Sequence, residues 1–75
     1  MNYGDRISLD SDVQHGKPVV SGTRITVSKL VGSVAAGMSV AETANAYGVT
    51  DSDVQAALQF AADLISEEEF HPIPH

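Results

Sequence analysis

The side chains of this chain that could do chemistry are histidines, hydroxyls, carboxylates and a few cations, because it holds no cysteine. The three histidines are His15, His71 and His75. A spacing of four, as between His71 and His75, offers two ligands to one metal only on a helix, and Pro72 and Pro74 prevent a helix there. Too few good ligands converge for a metal site. Ser21 and Thr23 flank Arg24 closely, but no histidine or carboxylate is placed to activate either hydroxyl, so both read as turn residues. The stretch from Gly16 to Gly22 is not a phosphate loop, since the Lys-Ser/Thr ending is missing. Asp5, Asp10 and Asp12 are most simply turn and cap residues. The expectation is a protein that is not an enzyme and needs no cofactor.

Arg24 stands out among the remaining groups. It is one of four cations and sits between turn residues and an apolar alternation. Two roles are open to it. As a structural arginine it would pair with an Asp or Glu and hold a hairpin to the helices. As a functional one it would offer its planar fork to carboxylates of a partner.

The elements that must position these groups belong to one small domain spanning residues 1–75. A chain of 75 residues buries only a modest share of its surface. Without cysteine, a partner chain is the natural supplement, and a homodimer is expected. No stretch approaches the roughly 18 apolar residues that span a bilayer. Residues 1–10 lack the basic start and apolar run of a signal peptide, so the expected location is the cytoplasm. The charge is uneven: residues 1–37 carry a net +1, and residues 38–75 carry −7 with no Lys or Arg, for a total of −6. An acidic half so bare of cations repels phosphate and suits a basic protein partner.

The pattern predicts an α+β fold, with short N-terminal strands between about 6 and 27 packed on three helices. Ile7-Ser8-Leu9 alternates apolar and polar, Pro18-Val19-Val20 is a second short strand, and Arg24 to Val27 alternates again. Helices are expected over about 28–36, 40–47 and 51–68. Val27, Leu30, Val31 and Val34 form one face of the first, and Gly37 supplies its left-handed stop. Ser39 and Glu42 form a capping box on the second, which faces Val40, Ala44 and Tyr47 inward and ends at Gly48. Thr50 caps the third, with Asp51 and Asp53 at the positive end of its dipole. Val54, Ala57, Leu58, Ala61, Leu64 and Ile65 make its apolar stripe, and Phe60 lies off that stripe as a candidate for a second interface. The tail, 69–75, cannot extend the helix past its prolines.

The most specific segment runs from Gly16 through Lys17, Pro18, Val19, Val20, Ser21, Gly22, Thr23, Arg24, Ile25 and Thr26 to Val27. Physically it reads as a hairpin, with positive φ at Gly16 and Gly22 and with Val19, Ile25 and Val27 aimed at a core. The segment resembles the hallmark of DUF433, a bacterial domain-of-unknown-function family broadly regarded as VapB-like antitoxins. That pattern is Gly-x-Pro-x-Ile/Val-x-Gly-Thr-Arg-Ile-x-Val, a helix, Gly-x-Ser and two more helices. Here Gly37-Met38-Ser39 supplies the second part, and the likeness covers roughly residues 6–66. At His15 the family pattern leads one to expect a small residue such as glycine. The resemblance implies a small β unit on a trihelical, helix-turn-helix-like core. It also implies a two-gene partnership with a PIN-like ribonuclease toxin, whose acidic metal site an antitoxin can cover or fill with a cation.

The last two helices fit the helix-turn-helix template, with Gly48 in the turn and Val54 and Leu58 as buried positions of the second. A DNA reader leads with the N-terminal residues of that helix. Candidate DNA contacts are then Lys17, Arg24, Lys29, Gln55 and Gln59, since glutamine can read adenine. Asp51 and Asp53 would repel phosphates, so DNA binding by the chain alone should be weak, and the motif is more simply a packing one. Candidate partner contacts are Arg24, Phe60, Phe70 and Ile73. The last two sit in a tail that either frays or folds onto a partner. Three functions are therefore weighed. The first is an antitoxin-like module that inhibits a PIN-like ribonuclease, the second a regulator of its own operator, and the third a structural homodimer.

Overall fold

The computed structural model describes residues 5–67. It shows an α+β fold: a two-stranded antiparallel sheet at the N-terminal end and three helices. Strand β1 is Ile7–Ser8 and β2 is Val19–Val20, paired in the register Ile7 to Val20 and Ser8 to Val19. Helices α1, α2 and α3 are Val27–Ala35, Val40–Tyr47 and Asp51–Glu67.

The sheet differs from expectation in which segments pair. The hairpin expected within 16–27 is reduced to a single bridge, Val19 to Thr26. Two backbone bonds frame it, Val20 N–H to the Ile25 carbonyl and Val27 N–H to the Pro18 carbonyl. The intervening turn is held by Thr23: its hydroxyl donates to the Val20 carbonyl at 2.8 Å and accepts from the Ile25 N–H at 3.0 Å. Gly22 sits in that turn at φ 79°, a conformation costly to any residue with a Cβ. The alternation of Ile7-Ser8-Leu9 also stops short: Ile7 is buried, whereas Leu9 lies past the strand end and is 65% exposed.

Between the strands, a short 3-10 turn at Gln14–Gly16 bends the chain back, with Gln14, His15 and Gly16 all at positive φ. His15, at φ 58°, takes the left-handed geometry for which a glycine is expected, and a histidine there costs about 1–2 kcal/mol. The Gln14 amide donates to the Arg24 carbonyl at 3.2 Å and ties this turn to the next.

The helices begin and end on local signals. Helix α1 starts one residue earlier than expected, because Thr26 is the cap and its hydroxyl accepts from the Lys29 N–H at 3.1 Å. It stops where Gly37, at φ 111°, donates to the Val34 carbonyl and Met38 N–H reaches back to Ser33. The Ser39–Glu42 capping box on α2 is present in both directions, at 3.0 and 2.8 Å. Those bonds to Ser39 hold the Glu42 carboxyl below its ordinary range. Gly48 closes α2 in the left-handed conformation at φ 69°. A second box starts α3: Asp53 N–H donates to the Thr50 hydroxyl and Thr50 N–H to the Asp53 carboxylate, both at 3.0 Å.

Helix α3 is the central element, packed against α1, α2 and β1. The core is Ile7, Val20, Val27, Leu30, Ala44, Val54, Ala56 and Ala57, with Ile25, Val31, Val34, Val40, Tyr47, Val49, Leu58 and Phe60 partly buried around it. Alanines at the α3 contacts let the helix axes approach closely. Thr43 is fully buried, and its hydroxyl is satisfied by the Ser39 carbonyl at 2.8 Å. The Ser33 hydroxyl donates to the Lys29 carbonyl, so in its 3.0 Å contact with Tyr47 it accepts, and this bond joins α1 to α2.

The expected stripe of α3 fails at its end. Val54 and Ala57 are buried, but Leu64 is 49% and Ile65 68% exposed. The reason is length. A helix of 17 residues runs about 25 Å, whereas α1 with 9 and α2 with 8 reach only about half that and cannot cover its last turns.

Candidate protein-docking surface

Where α3 outruns its neighbours, it forms an open groove with the first half of α1. Val27, Val31 and Gly32 of α1 face Phe60, Ala61 and Leu64 of α3, and Lys17 and Pro18 lie at the edge. The groove encloses about 440 Å³. That is within the size range of small-molecule pockets, but such pockets carry a few convergent polar groups to orient a ligand. This lining is mostly aliphatic and aromatic, its polar members being Lys17, Thr26 and Ser28, and Ile65, the residue after Leu64, is exposed. An exposed apolar surface rimmed by polar residues is the usual mark of a protein contact.

Phe60, which lies off the main stripe in sequence, is part-buried against the core and contributes a wall of this groove. Gly32 was not singled out by sequence reasoning. It sits inside a helix, where glycine costs about 0.5–1 kcal/mol relative to alanine. A Cβ added there would meet nothing within 4 Å. Neither backbone geometry nor internal packing explains it, and an isolated glycine in an apolar helical run was its one sequence signal.

A second concavity of about 440 Å³ lies over the β unit, lined by Ser8, Asp10, Val13, Val19, Gly22, Thr23 and Arg24. Arg24 is exposed here and its side chain makes no ion pair among the described residues. The ion pair that ties the N-terminal segment to the helices among the described residues is made by Arg6, whose guanidinium donates to the Asp53 carboxylate at 3.0 Å.

That contact also corrects the electrostatics expected at the start of α3, because Asp53 is partly neutralised from the N-terminal segment. Partial burial disfavours its charged form, but the Thr50 N–H and hydroxyl and the Arg6 guanidinium outweigh this and hold the carboxyl below its ordinary range. A depressed carboxylate stabilises the fold above the unfolded-state value, and the contribution is lost as pH falls through the folded-state value. Asp53→Ala should therefore cost about 1 kcal/mol at neutral pH, the size of a lost cap. The gap between the two proteins should narrow as pH falls through the folded-state value of this carboxyl, which lies below its ordinary range. Urea melts as a function of pH check it. A gap that persists undiminished at low pH would show that the carboxylate charge is not its source.

The other candidate residues are dispersed. Lys17 lies at the groove edge, Lys29 is exposed on α1, and Gln55 is exposed on α3. Gln59 is engaged, its amide donating to Asp63 at 2.8 Å. Gly16, Pro18, Gly22, Thr23, Gly37 and Gly48 shape turns or helix ends, and Phe70 and Ile73 lie outside the described residues. Among the described residues no three His, Asp or Glu side chains gather as metal ligands would, and no helix is long and apolar enough to cross a membrane.

Comparison with known proteins places the chain. Over 75% of its length it is similar to Rv2018 from Mycobacterium tuberculosis, known from an X-ray crystal structure, with 35% identity and a TM-score of 0.67. The likeness spans only 27% of that longer chain. No curated protein matches. The family model described as protein of unknown function, DUF433, matches residues 7–61, a span that takes in β1, β2, α1, α2, most of α3 and the lining of both concavities except Leu64, and the chain belongs to that family.

Proposed function

We propose that the chain is an antitoxin-like protein-binding module that neutralises a PIN-like ribonuclease. The observation that carries this reading is the open, mostly apolar groove between α1 and α3, with half-exposed Leu64 in its lining. A domain this small leaves apolar surface of that kind uncovered at a cost in solubility, and a partner protein removes the cost. The ribonuclease as partner rests on the resemblance of the segment from Gly16 to Val27 to antitoxin-like proteins. Arg24, exposed and unpaired among the described residues, is suited to the acidic groups of such an enzyme.

The regulator reading draws less support. The start of α3 presents Asp51 and Ser52, and one of the two candidate base-reading glutamines is occupied by Asp63. From residue 38 to 67 no cation is available to neutralise a phosphate, on which DNA affinity largely depends.

The test is recovery of the tagged chain from its native cell, with mass spectrometry of what it retains and a ribonuclease assay on the complex. A small metal-dependent ribonuclease, silent while bound and active once separated, is the expected result. Tight, sequence-specific binding of the isolated chain to its own promoter, lost steeply with salt, would replace this reading with the regulator.

A further inference from the structure

We infer that the groove between α1 and α3 receives the chain's own residues 68–73, with Phe70 seated over Gly32 and Leu64 and with Glu68 and Glu69 turned toward Lys17. These residues lie outside the described ones. The cover stands on its own, whereas its competition with a partner protein rests on the protein-binding reading above.

The groove sets three demands on an occupant. Its walls are apolar, with Val27 and Val31 facing Phe60, Ala61 and Leu64. Gly32 leaves open space among them, since a Cβ there would meet nothing within 4 Å. Lys17 is the one charged residue of the lining, is exposed, and makes no ion pair among the described residues. A segment with a bulky apolar side chain next to a carboxylate meets all three, and a basic segment would set like charges against each other.

Residues 68–73 are Glu68, Glu69, Phe70, His71, Pro72 and Ile73, and they follow α3 directly. They bring two carboxylates and two large apolar side chains, with no Lys or Arg. Their place in the chain gives them reach. Leu64 lies three residues before Glu67, about 4.5 Å along the helix axis. Six extended residues span about 20 Å, whereas Val27 to Gly32 on the facing wall take up only about 7.5 Å of helix. Pro72 has no N–H, and in a continued helix its ring would meet the Glu68 carbonyl, so the segment leaves the axis of α3 close to the groove. Proline also restricts the undocked chain, which lowers the entropy lost on seating it. A separate molecule loses translational and rotational freedom on entering the groove, and a segment already joined to α3 does not. A partner protein that uses this surface must therefore displace residues 68–73.

The full chain, labelled with ¹³C and ¹⁵N, is read by NMR. Cross-peaks are expected between the Phe70 ring protons and those of Gly32, Val31 or Leu64. Phe70→Ser combined with Ile73→Ser should move the amide signals of Gly32, Ala61 and Leu64. A free peptide of residues 68–75, added to that variant, should return those signals toward their wild-type positions. Lys17→Glu should weaken the Phe70 cross-peaks, and Glu68→Lys with Glu69→Lys in the same chain should restore them. Apparent affinity falls with the fraction of time the groove is covered, so the Phe70→Ser, Ile73→Ser chain should bind the ribonuclease at least about threefold more tightly.

Absent cross-peaks, or amide signals that stay in place in the double variant, overturn the inference. Cross-peaks that arise only between labelled and unlabelled copies in a mixed sample overturn it too, because the segment would then lie in a second copy's groove. Weaker ribonuclease binding by the double variant overturns the competition and makes the segment a partner contact. If the wild type binds no ribonuclease while the cross-peaks hold, the antitoxin reading fails and the cover stands.

Discussion

Leu30→Ala should leave the domain largely unfolded at physiological temperature. Leu30 is fully buried at the centre of the core, where α1 meets α3. Removing a buried leucine side chain costs about 2–5 kcal/mol, made up of lost transfer energy and the cavity left behind. A single core in a chain of this size rarely supplies more than about 3–5 kcal/mol in total. Among the described residues the core has no fully buried aromatic and draws three of its members from alanine, so little around Leu30 can collapse into the space. Leu64→Ala makes the same chemical change on α3 and should shift stability by less than about 0.5 kcal/mol, because Leu64 is half exposed. Urea melts followed by circular dichroism give both numbers. A loss under about 1 kcal/mol for Leu30→Ala would mean that the packing between α1 and α3 is looser than the fold implies.

That contrast marks how far the sequence could be read. Helix ends were legible because their signals are local. Ser39 and Glu42, three residues apart, and Gly48 after Tyr47 set α2 to the residue, and Gly37 marks the stop after α1. The β unit was less legible. Strands of two residues carry no periodicity, so nothing local says that Val19–Val20 pairs with Ile7–Ser8 and keeps only one bridge to Thr26. The exposure of Leu64 and Ile65 depends on the lengths of α1 and α2, which the stripe along α3 does not contain. The ion pair was the hardest to foresee. Arg6 and Asp53 are 47 residues apart, and of four cations the sequence drew attention to Arg24, the one that the family pattern specifies, instead of to Arg6, which precedes that segment.

Arg24→Ala should melt within about 0.5 kcal/mol of the wild type and inhibit the proposed ribonuclease partner at least about tenfold less well, a loss of about 1.4 kcal/mol of binding. The stability half of this follows from how the turn is held. Its bonds run through the Thr23 hydroxyl, the Val20 and Ile25 backbone and the Gln14 amide on the Arg24 carbonyl, and none uses the guanidinium. The fork is exposed at a concavity shared with Ser8 and Asp10. There it can meet partner carboxylates without first breaking an internal pair, so no desolvated group is left behind when it is removed. Arg24→Lys separates charge from shape. It keeps the cation but loses the planar pair of donors, and against carboxylates it should recover only part of the inhibition. Arg6→Ala is the counterpart: it removes the ion pair with Asp53 and should lower stability, while inhibition falls only as the folded fraction falls. Thermal melts and the nuclease assay on the same preparations decide the matter. A destabilised Arg24→Ala would assign the structural role to that residue, and an Arg24→Ala unchanged in both measurements would remove it from the partner contact.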